Sequence, residues 1–193
     1  LGDLVNEILP FKPESIESYD DNTMKLALKF LPEMIKTMHP KHLLKLTWSF
    51  FPEALMILTD GLPKFIVLVE FSGENESEIN AKMTALHAKI THFGFKMRIP
   101  KSQEESEKYW TIRRESFNLL RKHVQGKRTA PFIDDLIVRP EFLPEFLPKI
   151  REILDNYKIF YTIAGHAGNG NFHIIPLMDM KDPHNAEIIP EVS

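Results

Sequence analysis

The segment best suited to chemistry is the loop 165–173, which carries His166 and His173 near its two ends. Three of the chain's eight glycines fall within six residues of this loop. Glycine permits positive φ and a close approach of the backbone to other groups, so a tight reversal here would bring the two imidazoles together. Neutral imidazoles commonly bind zinc and similar divalent ions. The loop therefore predicts a metal site with His166 and His173 as ligands.

Two other interpretations of this loop are open. The first is a hairpin turn that carries two histidines by chance, which the density of glycine and the presence of Asn169 and Asn171 argue against. The second is a phosphate-binding loop of the P-loop kind. That motif requires a Gly-Lys-Ser/Thr run and a helix directly after the loop, and neither is indicated here.

A second candidate is an arginine in an apolar stripe. Side chains that recur at spacings of 3, 4, 3 and 4 share one helix face, and here they are Trp110, Arg113, Phe117, Leu120 and Val124. A buried charge without a partner is costly, so Arg113 needs an anion. That anion is either a substrate carboxylate, held by the bidentate guanidinium, or a carboxylate of the chain. The internal candidates are Asp134, Asp135 and Glu70, and a guanidinium that reaches out to water is the remaining alternative.

Composition excludes several classes of protein. The chain has no cysteine, which rules out disulfides, thiolate metal sites and a cysteine nucleophile. Its formal net charge of −3 gives no general attraction to nucleic acid, so no nucleic-acid partner is expected. No apolar run approaches the roughly 18 residues of a membrane span, and no signal peptide is visible. We expect a cytoplasmic protein. We also expect the ends at Leu1 and Ser193 to mark an excised fragment; the alternative is that disordered termini are missing from the sequence.

Hydrophobic periodicity predicts an α+β fold. Helices are predicted over 77–92, 102–124 and 141–156. Strands are predicted over 65–71, 95–99, 132–138, 159–164 and 172–177. Without the long helix 102–124, this order follows the split βαβ pattern of a ferredoxin-like domain. The prediction is an antiparallel sheet with helices on one face and one long inserted helix.

The first third of the chain is predicted to be an N-terminal extension, 1–62, with an irregular segment 1–21 and helices over about 24–38 and 41–58. Pro32 and Pro52 interrupt those two helices. The remaining residues, 63–193, would form the ferredoxin-like cap domain, incomplete at its C-terminus.

The loop sequence Gly-His-Ala-Gly-Asn-Gly-Asn-Phe-His over 165–173 resembles a known signature. It is similar to the Gly-His-x-Gly-Asp-Gly-Asn-x-His motif in the C-terminal domain of FAD-linked oxidases, the family of D-lactate dehydrogenase, the glycolate oxidase flavin subunit and D-2-hydroxyglutarate dehydrogenase. Weaker similarities are Trp-Thr-Ile-Arg-Arg-Glu over 110–115 and Ile-Asp-Asp-Leu-Ile-Val-Arg-Pro over 133–140. Together they extend the resemblance over most of the chain.

The resemblance implies a role for each residue of the motif. His166 and His173 would bind a divalent metal, zinc or manganese, that holds the hydroxyl and carboxylate oxygens of a 2-hydroxyacid near a flavin. Arg113 would bind the substrate carboxylate. The other implied contacts are Asn171 with the substrate, and Gly168, Asn169 and Gly170 with the FAD cofactor.

The sequence departs from the family pattern at Asn169, where the family usually has aspartate, so one negative charge near the metal is missing. The family's downstream Glu-His segment, which gives a third metal ligand and a catalytic base, is expected beyond this chain. No residue within it is therefore assigned as catalytic, and the N-terminal FAD-binding domain is expected outside it too. Two histidines alone should bind metal weakly, because zinc prefers at least three protein ligands.

The function that these observations favour is the substrate- and metal-binding part of an FAD-dependent oxidoreductase for a D-2-hydroxyacid of the lactate or glycolate type. By itself the chain is predicted to be inactive. Its expected partners are the small 2-hydroxyacid and the flavin-binding domain of the same parent chain; an oligomer and a peripheral membrane location of the parent stay open. The alternatives are a stand-alone ferredoxin-like module that binds a small ligand or metal without redox activity, and a purely structural interaction domain.

Overall fold

The computed structural model describes residues 1–29, 57–59, 61–100, 102–103, 105–107, 109–114, 128–130, 132–133 and 135–193. Within these ranges six strands form one sheet: β1 (Ser15–Asp20), β2 (Phe65–Glu70), β3 (Arg128–Thr129), β4 (Asp135–Ile137), β5 (Phe160–His166) and β6 (Asn171–Met178). The order across the sheet is β2-β1-β5-β6, and both β3 and β4 pair with β6. Each of these pairings is antiparallel, so the predicted antiparallel α+β class is confirmed.

Five α-helices are described from end to end: α1 (Gly2–Ile8), α2 (Asp21–Lys29), α3 (Glu76–Ile90), α4 (Leu143–Asn156) and α5 (Pro183–Val192). Apolar side chains of α1, α3, α4 and α5 share one core with Ile16, Ile163 and Phe172 of the sheet. These four helices define the helix-packed face of the sheet. The predicted helices 77–92 and 141–156 are confirmed as α3 and α4.

The opposite face of the sheet lines a cavity, and we call it the cavity face. It packs against α2 and the segment that contains Ile112. Because strand side chains alternate, Tyr19 points away from the helix-packed core and meets Met24 of α2 and Ile112. The described residues between 103 and 114 are helical, and the Ser102 hydroxyl accepts a hydrogen bond from the Glu105 amide at 3.2 Å, as expected at a helix start. The predicted inserted helix therefore begins where expected, and its part beyond residue 114 lies outside the described residues.

Two predictions of local structure were wrong. Residues 1–21, predicted to be irregular, form α1 and β1, and β1 lies between β2 and β5. Its sequence, Ser-Ile-Glu-Ser-Tyr-Asp, lacks the usual run of β-formers because it buries the polar side chains of Glu17, Ser18 and Asp20. Residues 95–99, predicted to be a strand, pair with no described strand, and the apolar side chains there are exposed.

The predicted helix 24–38 is seen as α2 up to Lys29, and of the predicted helix 41–58 only 57–58 are described, both helical. Helix α5 was not predicted from the sequence, and it contains Pro190. The division of the chain at residue 62 stays a prediction. In the part of the chain that the structure describes, no helix has the length and apolar character to cross a membrane.

Candidate functional site

Strands β5 and β6 form a hairpin that places the two histidines next to each other. In its register, His166 pairs with Asn171 and Ala164 pairs with His173, so both imidazoles lie on the cavity face. The two ring centroids are 5.8 Å apart, and the ring planes meet at 78°. The predicted chain reversal is therefore present. The role of the two rings as metal ligands stays a prediction.

The glycines of the hairpin have packing roles. A Cβ atom at Gly165 would strike the Asn171 carbonyl oxygen and lie 2.7 Å from the Phe172 Cα atom, so the two strands can approach this closely only with glycine. Gly168 lies against the Ile16 side chain, and Gly170 is buried against the carbonyl of Val138. This contact with Val138 joins the hairpin turn to the end of β4.

The three residues expected to contact the cofactor are Gly168, Asn169 and Gly170. They lie in this turn and do not line the cavity between the sheet and the helical segment that carries Arg113. Asn169 is the exposed member of the three. Their contact with a flavin stays a prediction, and Asn169 is the member that an external group can reach.

Each imidazole has a carboxylate on its Nδ1 atom. Glu17 Oε1 lies 2.5 Å from His166 Nδ1, and Asp135 Oδ1 makes a short contact with His173 Nδ1. Glu17 was not predicted as a site residue, because its segment was predicted to be irregular and it lies 149 positions from His166 in the chain. Asp135 was proposed as a partner for Arg113, and the structure shows it opposite His173 on the neighbouring strand.

Arg113 reaches the same group of side chains from the helical segment above the cavity face. Its Nη2 atom lies 3.3 Å from Glu17 Oε2, and only 14% and 9% of the two side chains are exposed. The expectation that this arginine needs an anionic partner is met within the chain by Glu17. Glu70 lies at the cavity and accepts a hydrogen bond from the Ser15 hydroxyl, and Asp134 lies outside the described residues.

A cavity of about 520 Å³ connects these groups. This volume falls within the range of small-molecule sites. Its charged and titratable lining consists of Glu17, Glu70, Arg113, Arg114, His166 and His173. Leu26, Trp110 and Ile175 supply an apolar wall. The cavity thus combines two imidazoles, two guanidiniums, two carboxylates and an apolar surface, and the guanidiniums are the groups that could pair with an anionic ligand.

Asn171, the other predicted substrate contact, is not part of this lining. Its side-chain oxygen is buried and has no hydrogen-bond partner among the described residues. It pairs with His166 in the register of the hairpin, so the two side chains lie on the same face of the sheet.

The two imidazoles are compatible with one shared metal ion. At a metal–nitrogen bond length of about 2.1 Å, two ligand rings have centroids roughly 5 to 6 Å apart, which includes the separation seen here. Within the described ranges, no three His, Cys, Asp or Glu side chains cluster as a metal site, so the pair would supply at most two ligands. Their carboxylate partners match the arrangement common behind metal-bound histidines.

Strand β1 carries a second buried carboxylate, that of Asp20, at its last position. It is 2% exposed, and its Oδ1 atom accepts hydrogen bonds from the Thr23 amide and hydroxyl at 2.8 and 2.7 Å. Its Oδ2 atom accepts one from the Ile163 amide at 2.9 Å. Burial raises the pKa of Asp20 to about 6, although these hydrogen bonds act in the opposite direction. Asp20 thereby fixes α2, which carries Thr23 at the cavity, to β5.

Comparison with known proteins gives a consistent result. The family described as FAD linked oxidases, C-terminal domain, matches residues 3–192. The chain is 30% identical over 195 residues to a D-2-hydroxyglutarate dehydrogenase of Pseudomonas putida, which covers 97% of the chain and 18% of that protein. For the D-2-hydroxyglutarate dehydrogenase of Escherichia coli the identity is 24% over 186 residues, with 93% and 17% covered. The chain thus spans less than a fifth of the length of these relatives.

Proposed function

The chain belongs to the family of FAD linked oxidases through their C-terminal domain, and we propose that it is the substrate- and metal-binding part of an FAD-dependent dehydrogenase for a D-2-hydroxyacid. The observation that carries the proposal is the cavity shared by His166, His173 and Arg113. A 2-hydroxyacid offers a hydroxyl and a carboxylate on neighbouring carbons. The two imidazoles and the guanidinium are the groups that recognise such a pair of oxygens.

In this proposal His166 and His173 hold a divalent ion, zinc or manganese, through their Nε2 atoms. When bound, such an ion would supply Lewis-acid polarisation of the substrate hydroxyl, FAD would supply the hydride acceptor, and the hydroxyl proton would go to the base expected outside this chain. Arg113, while it stays paired with Glu17, fixes the substrate carboxylate, which orients the carbon that loses the hydride. The apolar wall formed by Leu26, Trp110 and Ile175 limits water around the ligand.

The proposed substrate is D-2-hydroxyglutarate rather than lactate or glycolate. Two curated relatives carry that substrate in their names. The cavity is also lined by a second guanidinium, that of the exposed Arg114. A dicarboxylate can pair with both arginines, whereas a monocarboxylate leaves one of them without a ligand anion.

The cofactor and the remaining contacts complete the proposal. FAD would be bound mainly by a flavin-binding domain of the parent chain, with the turn of Gly168, Asn169 and Gly170 facing it. Exposed Asn169 supplies a side chain for this contact, while the two glycines shape the turn. Asn171, across from His166, is proposed to contact the substrate once the site is loaded.

Replacement of both His166 and His173 by alanine is expected to weaken zinc binding by more than about a hundredfold. Loss of a single group that hydrogen-bonds a metal ligand already costs about 10- to 100-fold, and this variant loses the ligands themselves. Titration of zinc and manganese into the protein by calorimetry measures the effect.

The matched control replaces His87 and His184 by alanine, since both are exposed and neither lines the cavity. This variant loses the same number of imidazoles and should bind metal like wild type. Equal metal binding by wild type and the His166→Ala/His173→Ala variant would remove the metal from the proposal. Metal binding without any 2-hydroxyacid binding would favour the stand-alone metal-binding module.

The Arg113→Lys variant should bind D-2-hydroxyglutarate about tenfold more weakly than wild type. Lysine keeps the positive charge and loses the planar fork, and one hydrogen bond to a charged group contributes about 1.5 kcal/mol or more. Calorimetric titration with the D and L enantiomers measures the change. Arg139→Lys is the control, because that guanidinium lies 4.9 Å from the Phe142 ring and away from the cavity. Unchanged affinity in Arg113→Lys contradicts the carboxylate role.

A further inference from the structure

One buried carboxylate joins the two kinds of group in the cavity. Glu17 directs Oε1 to His166 Nδ1 at 2.5 Å and Oε2 to Arg113 Nη2 at 3.3 Å. Only 9% of its side chain is exposed. A buried carboxylate is tolerated when it is paired and hydrogen-bonded, and here each oxygen has its own partner.

The contact with Glu17 determines where His166 carries its proton. A neutral imidazole has one N–H donor and one acceptor nitrogen, and an ionised carboxylate can only accept. The nitrogen that faces Glu17, Nδ1, must therefore carry the hydrogen. The lone pair is left on Nε2, the atom available to a ligand in the cavity. Asp135 imposes the same tautomer on His173 through its contact with Nδ1.

The carboxylates of Glu17 and Asp135 differ in the number of partners that their oxygens have. Glu17 serves an imidazole and a guanidinium at once, so its two oxygens are both engaged. The Asp135 side chain is 52% exposed, and its contact with His173 uses Oδ1. In a Glu17→Gln variant the amide has one oxygen to accept hydrogen bonds from two donors, the imidazole of His166 and the guanidinium of Arg113. In an Asp135→Asn variant the amide can still turn its oxygen to His173.

We propose that Glu17 is a positioning residue that holds His166 in the tautomer with hydrogen on Nδ1 while it also holds the guanidinium of Arg113. The reading of Nε2 as a metal ligand rests on the proposed function, but the tautomer does not. In the Glu17→Gln variant the charged guanidinium takes the single amide oxygen, because charge-assisted hydrogen bonds are the stronger ones. The amide N–H group then faces Nδ1, so the hydrogen of His166 moves to Nε2 and blocks that atom as a ligand.

The test is a long-range proton–nitrogen NMR correlation on protein with labelled histidine, in which the shifts of the two ring nitrogens identify a neutral imidazole and its tautomer. Wild type is expected to show hydrogen on Nδ1 of both His166 and His173. Glu17→Gln should move the hydrogen of His166 to Nε2, whereas Asp135→Asn should leave His173 unchanged. In the double variant Glu17→Gln/Arg113→Met the competing guanidinium is gone, so His166 should return to the wild-type tautomer.

Zinc titration of the same proteins gives an independent readout. Glu17→Gln should weaken zinc binding about tenfold or more, Asp135→Asn less than about threefold, and the double variant should recover most of the loss. Glu70→Gln is the matched control, because it removes one carboxylate charge at the cavity and the described hydrogen bond of Glu70 is with the Ser15 hydroxyl. It should change zinc affinity by less than about threefold.

The outcomes separate this inference from the proposed function. Hydrogen on Nε2 of His166 in wild type overturns the inference with no variant required, and so does a Glu17→Gln variant that keeps the wild-type tautomer. If wild type binds zinc and Glu17→Gln binds it equally well, the positioning role fails and the metal site stands. If the tautomers behave as expected and no protein binds zinc, the positioning role stands and the metal site fails.

Discussion

Replacement of Gly170 by alanine is expected to lower the free energy of unfolding by about 2 to 5 kcal/mol. Gly170 has φ +69°, a left-handed conformation that costs an L-residue about 1 to 2 kcal/mol. The added methyl group would also strike the carbonyl oxygen of Val138 and lie 2.9 Å from its carbonyl carbon. Forcing extra volume into a packed site costs about 1 to 3 kcal/mol more. Urea denaturation measures the sum.

Gly94→Ala provides the matched control. Gly94 has nearly the same φ, +68°, but among the described residues, its two chain neighbours aside, no atom lies within 4 Å of the position that a Cβ atom would take. Its replacement should therefore cost only about 1 to 2 kcal/mol, from backbone conformation alone. Equal losses in the two variants would show that the contact with Val138 contributes nothing.

The position of Gly170 also links stability to the site. Gly170 accepts a hydrogen bond from the Val138 amide at 3.0 Å, and Val138 follows directly on β4. That strand carries Asp135, which contacts His173. A displacement that relieves the clash at Gly170 would therefore move the carboxylate that orients one of the two imidazoles, and the variant should bind zinc more weakly as well.

The histidine pair could be predicted from the sequence because its cause is local. Only six residues lie between His166 and His173, glycines allow the reversal, and apolar runs on both sides form the strands. Hairpin register then places both side chains on one face without any long-range information. Helices α3 and α4 were predictable for a similar reason, since apolar residues at a period near 3.6 must face a core.

Glu17 could not be predicted in this way. Strand β1 buries polar side chains, and Glu17 among them pairs with a residue far away in sequence. The strand therefore lacks the apolar pattern by which strands are recognised in a sequence. The exposed segment 95–99 shows the opposite error, because alternating Phe95, Met97 and Ile99 resemble a strand that has no partner among the described residues. Both errors arise where long-range contacts, rather than local preference, determine structure.

The Asp20→Asn variant is expected to remove a pH dependence from the stability of the protein. Burial raises the pKa of Asp20 from its ordinary 3.8 to about 6 in the folded chain. Between these two values the folded chain binds more protons at this carboxyl than the unfolded chain does, so the free energy of unfolding falls as pH rises. A difference of about 2 pKa units corresponds to about 3 kcal/mol. Wild type should therefore lose about 3 kcal/mol relative to Asp20→Asn between about pH 4 and pH 7.

Urea denaturation of both proteins at several pH values in this window measures the difference, and the neighbouring Asp21 offers a control of opposite sign. Burial acts to raise the pKa of Asp21, but the hydrogen bond and charge of Lys25 outweigh it and lower the pKa. Asp21 therefore stabilises the fold above its ordinary pKa, and that contribution is lost as pH falls. Wild type and Asp21→Asn should differ by a constant amount between about pH 5 and pH 7. If Asp20→Asn shows the same constant difference, Asp20 is ionised throughout this range and the cost of its burial is offset by its three hydrogen bonds.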